Sequence, residues 1–372
     1  IDFNRERLVY HGHSNEGPRT ATGDLNSDGL ADFVIPGPKG MSSMVYFGLQ
    51  KGGFEPVELS ALPADAEHVA AHLFDADGDG DLDLYIASGG VEISEFSALY
   101  HDYLLFNDGQ GQFGEPVQVF PDDKKLSTLA VASADMDGDG DLDLFVGERI
   151  KVGKYGARCS GYLLENDGQG RFQDVSAAYY PAFQGMGMIT DAKWADLNSD
   201  GRPDLAIVGE FMEVQLLLND GTQLRKAALP FPSGGLWNRL EAVDLDLDGD
   251  LDLALGNLGT NSRLRASEAH PLRLYYSDFD QNSFPESILT FNAENGKDYP
   301  YALRHNLLKQ LRFLQKKYPD FDSFKDQDME QIFSPEQLAS ADVQEVQLLS
   351  SVLLRNQGEG AFEIAPLPIT TQ

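Results

Sequence analysis

Acidic and amide side chains recur at every second position in five nine-residue windows of this chain. Asp24, Asn26, Asp28 and Asp32 hold positions 1, 3, 5 and 9 of the first. Asp75, Asp77, Asp79 and Asp83 repeat the arrangement, as do Asp135, Asp137, Asp139 and Asp143. Asp196, Asn198, Asp200 and Asp204, then Asp244, Asp246, Asp248 and Asp252, complete the regular set. Oxygens at this spacing can turn inward around one centre. Position 7 (Leu30, Asp81, Asp141, Arg202, Asp250) can add a backbone carbonyl, and a glycine at position 6, Gly80 in the second copy, permits the sharp turn. An all-oxygen set without His or Cys suits a hard cation held by about 6–8 oxygens, which is Ca²⁺ rather than the more tightly hydrated Mg²⁺. Five calcium sites are expected. A sixth copy, with Asp278, Asp280, Asn282 and Glu286, is left open, because Ser283 replaces the glycine and Glu286 the closing aspartate.

Two other readings compete. An EF-hand loop begins in the same way but needs a bidentate Glu at position 12 and flanking helices. Position 12 here is Ile35, Ile86, Val146, Ile207 and Leu255, all apolar, so that reading fails on each copy. Metal-free, solvated acidic turns would leave up to five carboxylates crowded within nine residues and repelling one another. Extracellular calcium sites have dissociation constants of about 10⁻⁴–10⁻³ M. Millimolar calcium then contributes roughly 0.4–1.4 kcal/mol per site by linkage. Such sites would stay empty in cytosol, so an extracellular, cell-surface or periplasmic location is expected.

The loops need elements to hold them. Each regular copy runs into a short apolar segment (FVIPG, LYIAS, LFVGE, LAIVG, LALGN) that reads as a buried strand. Downstream, LLFNDGQGQF, LLENDGQGRF, LLLNDGTQL and LLRNQGEGAF read as strand, Gly-rich turn, strand, and VYFGLQKGGF is a looser version. A strand into the loop, a strand out and a hairpin make four strands, the content of a propeller blade. The first residues of successive loops lie 51, 60, 61, 48 and 34 residues apart. The expected fold is therefore all-β, a β-propeller of four-stranded blades with six units visible, and one domain over residues 1–372.

On these loops and strands the chain resembles FG-GAP/VCBS repeat proteins, the seven-bladed propellers of integrin α-subunits and of many secreted bacterial proteins. GMGMITDAKWADLNSDG, WNRL and GNLGTNS resemble bacterial relatives of cartilage acidic protein. The resemblance implies a seven-bladed plan and says little about ligand, since fold does not fix function. Six units against seven leaves two expectations: a further blade outside residues 1–372, or strands from residues 1–18 that help close the ring.

Residues 298–345 interrupt the repeat. Leu303, Leu307, Leu308, Leu311, Leu314 and Tyr318 follow helical spacing, Pro319 ends that run, and Ser334-Pro335 reads as the cap and first turn of another helix. A small helical insertion in the last blade is expected. Its Arg304, Lys309, Arg312, Lys316 and Lys317 read either as a docking strip or as a solvated face.

The formal net charge is −32, and the acidic windows hold 24 of the 60 Asp and Glu residues. Nucleic acid and anionic lipid are thereby excluded as default partners, since both need a basic face. The chain has one cysteine, Cys159, so no intrachain disulfide can form, and it has no apolar run of membrane-spanning length. It begins at Ile1 without a leader pattern, which reads as a mature or excised fragment.

No GxSxG, HExxH, P-loop or dinucleotide fingerprint occurs. His68, His72 and Cys159 read as packed residues, and Trp194 and Trp237 as inter-blade packing, with Trp237-Asn238-Arg239 as an alternative sugar platform. The expected function is a noncatalytic scaffold that binds protein or glycan through loops 89–103 and 147–161, using Tyr100, Tyr103, Tyr155 and Arg158. The alternative is a polysaccharide lyase or glycoside hydrolase in which calcium neutralises a uronate and Lys, Tyr or His takes the proton. If calcium holds the loops, excess chelator lowers the melting temperature by roughly ten degrees or more. An unchanged melt contradicts it.

Overall fold

The closing carboxylate of each acidic loop is buried, and it organises the sheet around it. In the computed structural model, which describes Phe3, residues 6–358 and residues 360–367, Asp83 accepts from the Ala76 amide (2.8 Å) and the Asn107 amide (2.9 Å). Asp32, Asp143, Asp204 and Asp252 repeat this: each takes one amide from position 2 of its own loop and one from the hairpin downstream. One carboxylate thus pins the strand entering the loop, the strand leaving it and the third strand.

Four antiparallel strands result each time. The first sheet is Ala21–Gly23, Asp32–Ile35, Met44–Gly48 and Phe54–Glu58; the second is His68–Phe74, Asp83–Ser88, Tyr103–Leu105 and Val117–Gln118. The third is Thr128–Ala134, Asp143–Glu148, Gly161–Asn166 and Phe172–Asp174; the fourth is Met188–Ala195, Asp204–Met212, Gln215–Asn219 and Leu224–Lys226. The fifth is Gly235–Val243, Asp252–Asn257, Val352–Asn356 and Phe362–Pro366, joined to the fourth through Glu210–Leu236 and Met212–Gly235 pairing. Second strands such as Asp83–Ser88 and Asp204–Met212 are buried along their whole length because sheets cover both faces, which is why they read as unbroken apolar runs. Separate hydrophobic clusters join sheets one and two, two and three, three and four, and four and five. First strands line the axis: Thr22, Ala71, Val131, Lys193 and Arg239 surround one cavity of about 320 Å³. The architecture is all-β and propeller-like, as expected.

Asparagines staple the sheets together. The Asn107 amide nitrogen donates to the Leu25 carbonyl of the preceding loop (2.8 Å) and to Leu82 of its own (3.2 Å). Asn166 does the same to Ala76, Asn219 to Met136 and Asn356 to Leu197, at 2.7–2.8 Å. In the first sheet Gly48 stands in this place. Hairpin glycines tuck in close: a Cβ at Gly170 would lie 2.5 Å from the Phe106 ring of the preceding sheet.

The sixth sheet is nested rather than appended. Leu272–Ser277, Glu286–Asn292, Asp298–Pro300 and Asp342–Val346 all fall between the second and third strands of the fifth sheet. The hairpin at Leu353 closes the fifth sheet, pairing Leu354 with Leu253, and this explains the short 34-residue step to the sixth loop. The nested sheet lies over the end opposite the acidic loops, where Leu272, Leu274, Leu289 and Val346 pack on Val91, Ile150, Tyr155, Phe211 and Leu236. Its helices follow the expectation for 298–345 with one difference. Arg304–Gln310 is helical, Leu311 breaks it at φ −101°, and a 3₁₀ turn follows at Arg312–Gln315. The break lets Leu307, Leu308, Leu311, Leu314 and Tyr318 share one core with Phe279 and Ile288, while Leu303, in the N-cap position, is 62% exposed. Ser334 caps the Pro335–Ala339 helix as read. Among the described residues of 1–18 there is no strand; Ile1, Asp2, Asn4 and Arg5 lie outside them. Also among the described residues, no helix is long and apolar enough to cross a membrane.

Replacing Asn166 by Ala leaves the Ala76 and Leu142 carbonyls and the Gly170 amide without this partner. Asn166→Ala should destabilise the fold by about 2–4 kcal/mol in urea unfolding. Gln169→Ala, exposed on the same turn, should stay within about 0.5 kcal/mol. Equal effects would dismiss the staple.

Candidate metal centres

All six acidic loops take one backbone path. The position-1 carboxylate accepts from the position-6 amide in each: Gly29 to Asp24, Gly80 to Asp75, Gly140 to Asp135, Gly201 to Asp196, Gly249 to Asp244 and Ser283 to Asp278. The position-5 oxygen takes the position-7 amide, as in Leu30 to Asp28 and Asp81 to Asp79. Positions 4 and 6 are both left-handed, with Gly78 at φ 76° and Gly80 at φ 94°. The second left-handed residue was not foreseen. Where it is not glycine, Ser27, Ser199, Leu247 and Gln281 carry the strain, as does Ser283 at position 6 of the sixth loop (φ 73°).

The path gathers the oxygens. Asp75, Asp77 and Asp83 each place one carboxylate oxygen within 4.8 Å of the others. So do Asp135, Asp137 and Asp143; Asp244, Asp246 and Asp248; and Asp278, Asp280 and Glu286. The sixth loop therefore assembles the same cluster despite Ser283 and Glu286. In the first and fourth loops Asn26 and Asn198 replace one carboxylate. In the fourth, the Arg202 guanidinium lies 3.0 Å from Asp200 Oδ2, and Asn198 donates to the same oxygen. That loop carries part of its own counter-charge.

The residues present fit a hard cation. Asp77 Oδ1, Asp280 Oδ1 and Glu286 Oε1 are buried oxygens with no protein donor. Burial also pushes the closing carboxyls up: Asp83 and Asp204 from 3.8 to about 6, Asp143 from 3.8 to about 7, and Glu286 from 4.5 to about 7. Backbone amides pull the other way and lose, and neighbouring loop aspartates add to the rise.

A second polar group lies at the other end of the axis, and sequence reasoning did not single it out. Buried Arg149 holds Glu16 (2.8 Å) and Glu210 (3.2 Å), and His11 Nε2 lies 3.1 Å from Glu210. Tyr155 donates to Glu210 (3.0 Å). Burial would raise Glu16, yet Arg149 draws it down from 4.5 to about 2 and holds Glu210 well below its usual range. Nearby, Arg19 pairs with Asp191 at 2.8 Å. These residues come from scattered segments, with no fixed spacing to betray them.

The remaining readings sort plainly. Tyr155 is 1% exposed and packs beneath the sixth sheet with Val91, Ile150 and Cys159, whereas Tyr100 is buried within its own loop, its hydroxyl donating to the Ile93 carbonyl (3.3 Å), so neither ring is open to a ligand. Tyr103 is half-buried, and Arg158 pairs with Asp342. His68 and His72 bond Ser43 and Ser133, and burial lowers both to about 4. Cys159 is buried, which pushes its thiol up. Trp194 and Trp237 pack between sheets. In the insertion, Arg304 is half-buried and donates to the Tyr318 carbonyl, while Lys309, Arg312, Lys316 and Lys317 are exposed, Lys317 also donating to the Gln331 carbonyl.

The model of the FG-GAP-like repeat matches residues 24–86, 96–146 and 196–255. All five regular loops fall within those stretches. The narrower resemblance to cartilage acidic protein relatives has no match behind it, and no curated protein matches the chain. Among solved structures, a candidate exo-beta-1,3-galactanase from Bifidobacterium bifidum s17 aligns over 79% of this chain and 95% of its own, at 11% identity and TM-score 0.38. The V. cholerae biofilm matrix protein Bap1 aligns over 96% of this chain and 67% of its own, at 14% identity and TM-score 0.28. At these TM-scores neither likeness bears on what the chain does.

Raised carboxyls set a pH dependence. Without metal, the penalty for ionising Asp83, Asp143, Asp204 and Glu286 in the fold is absent below pH about 4 and grows as pH rises to about 7. In chelator the melting temperature should fall from pH 5 to 7.5. Saturating calcium should flatten that slope, leaving Asp102, buried and raised to about 7, opposed by His68 and His72, which burial lowers from 6.5 to about 4 and which add stability as pH rises through that range. A metal-free protein that is more stable at pH 7.5 than at pH 5 would contradict the assignment.

Proposed function

Taking a chain of FG-GAP-like repeats as the premise, we propose that it is a calcium-stabilised extracellular scaffold that binds protein or glycan. The observation that carries the calcium reading is the set of donorless, buried oxygens inside loops that already converge. Asp24, Asn26, Asp28 and Asp32, and their counterparts in the other loops, would hold the ion with the position-7 carbonyls. Its charge would offset the crowded acid. Weak sites of this type fill at extracellular rather than cytosolic calcium, which supports a secreted or surface location.

The sheets supply a rigid frame, and its loops supply variation. In loop 89–103 the exposed aromatic is Phe96, 79% accessible, in place of the buried Tyr100. A binding role is favoured over catalysis by what surrounds the sixth loop. Among the described residues, the 290 Å³ cavity against Asn282 and Glu286 is lined by neither Lys, Tyr nor His, the groups a lyase would need as a base beside its metal.

The test is a glycan array probed with the protein in about 1 mM calcium and again in chelator. Binding to a restricted set of glycans, lost with chelator and restored by calcium, is the expected result, with Phe96→Ala weakening part of it. Binding indifferent to calcium, or no binding in array and protein pull-down alike, overturns the proposal. Release of shortened products from a bound polymer would establish an enzyme instead.

A further inference from the structure

We propose that the axial pocket at the end opposite the acidic loops binds a uronic-acid residue of a saccharide. This deepens the glycan branch of the scaffold reading and rests on it. The pocket holds about 370 Å³, within the range of small-molecule sites, and Tyr10, His11, Arg19, Arg149, Asn238 and Arg239 all contribute to its wall.

Charge comes first. Arg19 and Arg239 share a single carboxylate, Asp191, at 2.8 and 3.9 Å. One guanidinium is left under-neutralised in a chain of formal charge −32. It is Arg239, whose side chain is 56% exposed and makes only the long contact. Arg239 stands in the wall of both this pocket and the 320 Å³ cavity beside it, with only the long contact to Asp191, and its planar fork matches a carboxylate. A second observation is independent of the first. Arg149, 5% exposed, lines the same cavity and has a buried Nη1 with no hydrogen-bond partner. A buried guanidinium N–H left without an acceptor calls for one from a ligand or water.

The other end of the pocket narrows the class. Glu16 and Glu210 line it and stay ionised, since Arg149 holds both well below the usual carboxylate range. Two carboxylates would repel a dianion such as phosphate or sulfate. They accept hydrogen bonds from hydroxyl groups. Exposed Asn238 can serve hydroxyls as donor and acceptor. A monoanion rich in hydroxyls satisfies all of these, and a uronate is such a molecule.

The experiment is calorimetric titration of the calcium-loaded full chain with a galacturonic-acid trisaccharide and with its carboxyl-reduced, neutral counterpart. Saturable binding of the acidic sugar alone is expected. It should weaken at least tenfold in Arg239→Ala, less in Arg239→Lys, and again in Asn238→Ala, all with unchanged melting temperatures. Uronates also bind free calcium, so wild type and Arg239→Ala are compared at equal calcium. Equal binding by wild type and Arg239→Ala, equal binding of acidic and neutral sugars, or no saturation by the uronate overturns the assignment. Glycan-array binding that survives Arg239→Ala would leave the scaffold reading standing and end this one. Array binding indifferent to calcium, beside a uronate whose binding is lost in Arg239→Ala, would overturn the calcium-scaffold proposal and leave this assignment standing.

Discussion

A single buried carboxylate in each of the five regular loops, clamped by two backbone amides, is the constraint on which the remaining structure depends. It fixes where the loop closes, where the third strand begins and therefore where the following asparagine sits. That asparagine reaches the loop of the preceding sheet. Loop geometry and sheet-to-sheet packing are consequently one connected arrangement. In a low-dielectric interior such a network is strongly favourable when every member is satisfied and expensive when one is missing. The same burial that makes the clamp rigid makes its charge costly, and a cation held by the neighbouring oxygens would offset that cost.

The two ends of the sheet array carry different chemistry. At one end lie the acidic turns, all built alike. At the other, the first strands begin, and residues from 10–19, 149, 191, 210 and 239 meet around an arginine-rich pocket. Uniformity at the first end suits support, and irregularity at the second suits recognition. The nested sheet covers much of that second end, so Tyr155, expected as a recognition contact, is instead packed beneath it with Val91 and Ile150, and Tyr100 is buried in its own loop.

What could be read in the chain follows from what repeats. The loops, the strands behind them and the hairpins recur with fixed internal spacing, so their identities were legible from Asp24 onward. The closing position, the glycine at position 6 and the capped helix at Ser334 were equally open to reading. The staple asparagines were visible as letters in NDG and NQG turns, yet their partners lie 82 to 159 residues away, and local pattern cannot report that. The axial pocket was hidden for the same reason: Glu16, Arg149 and Glu210 belong to three segments with no common period. The 34-residue step between the last two loops was the one overt sign of nesting, and its meaning needed the pairing of Leu253 with Leu354.

That nesting orders the birth of the protein. Asp252 meets its hairpin partner only at Asn356, 104 residues later. While the ribosome makes the intervening segment, the fifth sheet has only its inner half, with an open edge along Asp252–Asn257. The inserted sheet and its helices own a separate hydrophobic cluster and can consolidate in that interval. Completion of the array thus waits on the last strands to emerge, and a nascent chain stalled before Val352 would present an unpaired strand edge to chaperones or to another copy of itself.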